Sequence, residues 1–170
     1  MKFRCRAFNI YLVLITCGFL FGCKTTEEKT RSKELSTLRL HLELPPSAEK
    51  SAAVSVHGVP IAIEKEAFLT EVDVAQAVLV DTIGGGYSVQ VDFNQHGTLI
   101  LDMVTGANKG KRIAVFSQCD KARWVGAPMI MRRNANGMLV FTPDCSREQA
   151  DRLVRGLNNL VRKIHKKSLL

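Results

Sequence analysis

The pattern that most limits the fold is a twofold alternation of apolar and polar residues, which recurs along the chain and yields to a helical period in only two places. Leu38, Leu40, Leu42 and Leu44 alternate with Arg39, His41 and Glu43; Tyr87, Val89, Val91 and Phe93 alternate with Ser88, Gln90 and Asp92. Side chains two apart share one face of a strand, so each run predicts a half-buried strand. Pro45-Pro46 ends the first run. Val54-Ser55-Val56 and Pro60-Ile61-Ala62-Ile63 flank His57-Gly58, which predicts a hairpin or a pair of short edge strands. Thr70-Glu71-Val72-Asp73 has the form of a helix start, predicting a short helix over Glu71–Gln76 before Ala77–Val80 returns to strand. Gly84-Gly85-Gly86 reads as a loop and Ile113–Phe116 as a central strand. Pro128–Met131 and Met138–Phe141 bracket Asn136-Gly137 as a second hairpin.

The first helical period runs through Leu99, Ile100, Met103, Val104 and Ala107, and Asn108 to Gly110 closes it. The second is longer. Ser146 with Gln149 three residues on fits a capping box, and Ala150, Leu153, Val154, Leu157, Leu160, Val161 and Ile164 make one apolar stripe. Arg152, Arg155, Arg162, Lys163, Lys166 and Lys167 lie mostly on other faces. A basic amphipathic helix suits a membrane surface as well as a core, but a sheet needs such a cover, which favours docking. The sum is an α+β domain over residues 38–165, a mixed but mostly antiparallel sheet covered on one face by two main helices, followed by a basic tail at 166–170.

The first residues bear on where such a domain is delivered. Lys2, Arg4 and Arg6 precede an apolar run from Ile10 to Phe21, with no acidic residue before Glu27. A spanning helix needs about 20 apolar residues, and this run is shorter, the length of a signal-peptide core. It ends in Leu20-Phe21-Gly22-Cys23, which resembles the lipobox of bacterial lipoproteins. That resemblance implies that residues 1–22 are a signal peptide cut before Cys23, and that Cys23 carries the lipid. An uncleaved anchor is the alternative, but it gives no reason for a cysteine at the end of the run. One acyl chain holds a protein only marginally, so the three chains usual in lipoproteins imply a permanent membrane anchor. Position 24 is Lys instead of the Asp that retains such proteins at the inner membrane of well-studied Gram-negative cells, which favours the outer membrane, facing the periplasm.

Removal of residues 1–22, which hold three basic and no acidic residues, lowers the formal charge from +8 to +5 and leaves 148 residues, the size of one domain. This charge suits mild attraction to anionic partners, while the exported address argues against nucleic acid. Residues 24–37 are polar, so 23–37 read as the lipidated cysteine and a flexible tether. Cys5 and Cys17 leave with the signal. Cys119 and Cys145 remain, each after a predicted strand, in a compartment where disulfides form. A Cys119–Cys145 bridge and two separately buried thiols both fit.

Catalytic patterns are missing. Gly106-Ala107-Asn108-Lys109-Gly110-Lys111-Arg112 is one residue short of a phosphate loop, lacks the Ser or Thr after its lysine, and runs helix-to-strand instead of strand-to-helix. His41, His57, His96 and His165 are scattered, without HExxH or Cys-x-x-Cys spacing, and there is no GxSxG elbow. The residues single out no catalytic, metal or cofactor site and no small-molecule substrate; the chain reads as a non-enzyme.

One ordered series remains. Leu69-Thr70-x-x-Asp73, the strand Val89-Gln90-Val91-Asp92-Phe93, and His96-Gly97-Thr98-Leu99 at a helix start are followed by Thr105-x-x-Asn108-x-Gly110-Lys111-Arg112-Ile113-Ala114-Val115. Ala127-Pro128 and then Phe141-Thr142 before Ser146-x-x-x-Ala150-x-x-Leu153 complete it. From Leu69 to about Leu160 the chain resembles the head part of the first periplasmic domain of SecD, the accessory subunit of the Sec protein translocase. The resemblance implies the α+β fold of that head and a module that contacts exported polypeptide on the periplasmic side. The membrane helices of SecD, which bear the acidic residue associated with proton-driven motion, have no counterpart here, and a lipid takes their place. The expected function is non-catalytic binding of exported polypeptide or an envelope protein, linked to protein export or envelope maintenance. A lipoprotein that binds cell-wall polymer, or an envelope enzyme reusing the fold, is the alternative. The short strands around Val54–Ile63, interrupted by Pro60, are the expected edge for adding an extended segment.

Overall fold

The computed structural model describes residues 31–168 apart from Lys50, His57 and Asp120; the expected signal peptide and Cys23 lie outside them. The described elements run β1 (Thr37–Leu42), β2 (Ser51–Val56), β3 (Val59–Glu64), β4 (Leu69–Thr70), a 3-10 turn (Glu71–Asp73), β5 (Val74–Asp81), β6 (Tyr87–Phe93), α1 (Gln95–Ala107), β7 (Ile113–Gln118), β8 (Ala122–Gly126), β9 (Met138–Phe141) and α2 (Arg147–Ser168). Every strand pairing among them is antiparallel. The expected α+β class with two helices therefore holds, but the strands divide among three sheets: β4-β1-β7-β8, β5-β6-β9 and the hairpin β2-β3.

The alternation fixes the register of β1. Leu38, Leu40 and Leu42 lie opposite Ser117, Val115 and Ile113, all six buried, while Arg39 and His41 face Phe116 and Ala114 on the other side. A slip of one residue would turn the leucines outward. Beyond Leu42 the chain leaves β7 for β3: Glu43 bridges Ile63, and the Leu44 N–H donates to the Ala62 carbonyl at 2.9 Å. The hairpin thereby lies over the outer face of the four-stranded sheet, burying Val56, Ile61 and Ile63 against Ala114 and Trp124. The opposite face shares one core with the three-stranded sheet and both helices, including Leu40, Val91, Phe141, Leu101 and Leu157.

Four expectations are corrected. The helix expected over Glu71–Gln76 is a single 3-10 turn, because the Asp73 carboxylate accepts the Thr70 N–H at 3.1 Å and the buried Val74 already pairs with Phe93. Pro128–Met131 and Met138–Phe141 do not form a hairpin; Met138–Phe141 pairs with β6, whereas Met129 makes an isolated bridge to Arg112. On α1 the buried residues are Gly97, Leu101 and Thr105, while Leu99 and Met103 of the expected stripe are exposed. The expected tether is docked at its C-terminal end: Ser36 is buried beside Gly156, and Asn159 Nδ2 donates to the carbonyls of Arg31 (2.8 Å) and Glu34 (3.1 Å). The capping box of α2 forms as expected, with Ser146 and Gln149 bonding each other's backbone N–H.

Candidate functional site

A sheet ends in two rows of unpaired backbone groups, and these must be covered or left as templates for another strand. In the β5-β6-β9 sheet the two edges are treated differently. On β5, Asn158 of α2 accepts the Ala77 N–H at 2.9 Å and donates to the Ala77 carbonyl at 2.8 Å, so a helix side chain stands in for a neighbouring strand. On β9, no described strand pairs with the outer side.

The register says which groups of β9 are left. Phe93 N–H donates to the Gly137 carbonyl at 2.8 Å, and Asp92, Val91, Gln90 and Val89 then face Met138, Leu139, Val140 and Phe141 in turn. Hydrogen-bonded and non-bonded pairs alternate in an antiparallel ladder. Leu139 and Phe141 therefore direct their backbone groups to β6, and Met138 and Val140 direct theirs outward. The Asn134 side chain confirms the direction by donating to the Met138 carbonyl at 2.7 Å. The Val140 N–H and carbonyl point into an open groove.

The facing wall of that groove is the segment Pro128–Asn134. Its backbone is held from below: Ile113 N–H donates to the Pro128 carbonyl (2.9 Å), Ile130 N–H to the Lys111 carbonyl and Gly110 N–H to the Ile130 carbonyl (2.8 Å each). Gly110 makes this approach at φ 87°, a conformation that favours glycine. Farther along, Arg133 clamps Asp102 of α1 with two bonds of 2.5 and 2.6 Å, which hold the Asp102 carboxyl below its usual range. Asn134 N–H donates to Thr105 Oγ1 at 2.8 Å. Thr105, Asn108 and Gly110 of the ordered motif thus build one wall, with Asn108 bonding both the Val104 carbonyl and Lys111 Nζ. The cleft so formed is about 530 Å³ and is continued along β9 by a depression of about 370 Å³ at Ser88, Pro128 and Thr142.

Its surface is apolar and soft. Met129, Met131, Met138 and Val140 line the cleft and are 49%, 70%, 37% and 46% exposed. Exposed methionines on a rigid frame adapt to side chains of varied shape. The alternation that buries Leu139 and Phe141 is what puts Met138 and Val140 outside. Sequence reading missed this site. The available signal was that Met129, Met131 and Met138 fall within ten residues, in a chain with five methionines.

The edge expected around Val54–Ile63 differs in kind, since Ile61 and Ile63 are buried and Val59 is the one large apolar residue exposed there among the described residues. Cys119 and Cys145 are free thiols, so the bridge left open by the sequence is not made in this structure. Both line a separate cleft of about 280 Å³ with Lys121 and Arg123, where burial pushes the Cys145 thiol above its usual range and Arg123 opposes it. Of the histidines, His41 Nδ1 donates to the Glu64 carbonyl (2.9 Å) beside Trp124, and His96 meets Asp73 (2.8 Å); His57 is outside the described residues. No group of three or more metal-ligating side chains occurs among the described residues, and none of their helices is long and apolar enough to cross a membrane.

Fold and groove together define a small antiparallel α+β head module whose three-stranded sheet has one covered and one open edge. The chain belongs to the family described as SecDF, P1 head subdomain, whose model matches residues 47–159. That match begins ahead of Leu69 and takes in the β2-β3 hairpin. A solved structure of a membrane component SecDF that enhances protein export superposes with a TM-score of 0.58 at 19% identity, covering 82% of this chain and 71% of that one. SecDF in a super-membrane-facing form gives 0.58 and 19%, covering 79% of this chain and 21% of that one, so the present chain spans about a fifth of that protein. No curated protein matched the sequence.

Proposed function

We propose that this protein is a bacterial lipoprotein, anchored through lipid on Cys23 at a membrane facing the periplasm, whose head binds extended polypeptide along β9 without catalysis. The observation that carries the binding reading is the open β9 edge with Met129, Met131, Met138 and Val140 around it. An extended segment laid beside β9 would receive main-chain bonds from Val140 and place alternate side chains on the methionines, the mode in which affinity comes from backbone and selectivity from shallow pockets. Net main-chain bonds contribute about 0.5–1.5 kcal/mol each and association opposes them, so a short edge supports binding of about micromolar strength or weaker. Weak, sequence-tolerant capture suits a chain that must be released. The related SecDF is described as enhancing protein export, which supports exported polypeptide as the partner over an envelope protein.

The test titrates the chain from Lys24 to Leu170, which keeps every buried residue of the core, with an unfolded polypeptide and separately with peptidoglycan fragments. Backbone amide shifts clustered at Met129–Met131 and Met138–Val140 with polypeptide are the expected result. A contiguous patch with peptidoglycan and none with polypeptide would establish the cell-wall reading instead.

A further inference from the structure

Charge along α2 is divided in a way that packing does not explain. Toward its N-terminus the cations are paired: Arg152 with Glu148 at 2.7 Å, and Arg155 with both Asp151 and Glu34. After Asp151 the sequence has no further acidic residue, yet Arg162, Lys163, Lys166 and Lys167 follow. The Arg162 guanidinium donates only to neutral groups, the Asn158 carbonyl and Asn159 Oδ1, and Lys163, Lys166 and Lys167 make no ion pair among the described residues. All four are exposed.

Position gives these charges a direction. Asn159, Arg162, Lys163 and Lys166 follow the i, i+3, i+4, i+7 spacing of one helical face, opposite the buried Leu153, Leu157 and Val161. That same face receives the N-terminal segment, because Asn159 Nδ2 holds the carbonyls of Arg31 and Glu34. Exposed Arg31 and Lys33 join the patch there. Only seven residues lie between Cys23 and Arg31, eight steps along the chain with a reach of at most about 28 Å when fully extended.

We propose that this face of α2, with Arg31 and Lys33, docks on the anionic headgroups of a phospholipid surface, fixing which way the head stands on its membrane. The inference rests on the lipid-anchor reading, which places such a surface within reach. Ala150, Leu153, Val154, Leu157 and Val161 of the apolar stripe are committed to the core, so the contact is electrostatic and is screened by salt. Met129, Met138 and Val140 of the β9 groove take no part in this face.

Vesicle co-sedimentation of the unlipidated Lys24–Leu170 chain tests it. Partitioning onto phosphatidylethanolamine vesicles with a quarter phosphatidylglycerol is expected, with none onto phosphatidylcholine alone and loss in 1 M salt, where the screening length is about 3 Å. The quadruple variant Arg162→Gln, Lys163→Gln, Lys166→Gln, Lys167→Gln should partition at least about tenfold less. A control with the same charge change elsewhere (Arg39→Gln, Lys65→Gln, Lys109→Gln, Lys121→Gln) should keep most of the binding. Loss below tenfold in the first variant, equal loss in both, or no partitioning at all overturns the proposal. Because this chain carries no lipid, the result is independent of whether Cys23 is acylated.

Discussion

Leu157 sits midway along the apolar stripe of α2 with none of its surface exposed, and it belongs to the core shared by both larger sheets. Replacing it with alanine removes its transfer energy and leaves a cavity, so Leu157→Ala should destabilise the fold by about 2–5 kcal/mol in denaturant titration. A loss under about 0.5 kcal/mol would mean that the stripe faces solvent. This residue is legible in the sequence because its period is helical and Arg152, Arg155 and Arg162 fall on another face. Thr105 is not. Counted as polar, it hides the fact that Gly97, Leu101 and Thr105, each one turn apart, are the buried residues of α1, while Leu99 and Met103 are exposed. Thr105 tolerates burial because its hydroxyl donates to the Leu101 carbonyl at 2.7 Å and accepts the Asn134 N–H, a satisfaction that only the tertiary structure reveals.

At the scale of elements, the strands and both main helices follow from period and capping, but partners do not. Asn136-Gly137 between two apolar runs signals a hairpin, yet Val140 pairs with Gln90, fifty positions earlier. The glycine has another cause: Gly137 has φ 68°, and a Cβ there would collide with the Thr98 side chain. The contrast between the two edges of the β5-β6-β9 sheet is equally invisible in the sequence, since Asn158 and Ala77 are far apart along the chain. Asn158→Ala would strand both backbone groups of Ala77 under α2. An unsatisfied buried group costs about 1–3 kcal/mol, so hydrogen exchange at the Ala77 amide should speed up by about tenfold or more while β9 amides change little. Unchanged exchange at Ala77 would mean that this edge is not held by the helix.

At the scale of the whole molecule, an anchor read from sequence meets a groove read from structure. Cys23→Ala should leave an uncleaved precursor that no longer incorporates an alkyne fatty acid; unchanged mobility and labelling would remove the anchor. The groove is tested more directly at Val140, whose N–H points away from β6. Proline at an edge position loses only the outward donor, so Val140→Pro should spare the β6 ladder while blocking strand addition. The decisive measurement is the affinity of an unfolded polypeptide for the Lys24–Leu170 chain, with and without the Val140→Pro substitution, at matched thermal stability. The Val140→Pro chain should bind about tenfold more weakly, and equal affinity in the two would contradict strand addition at β9.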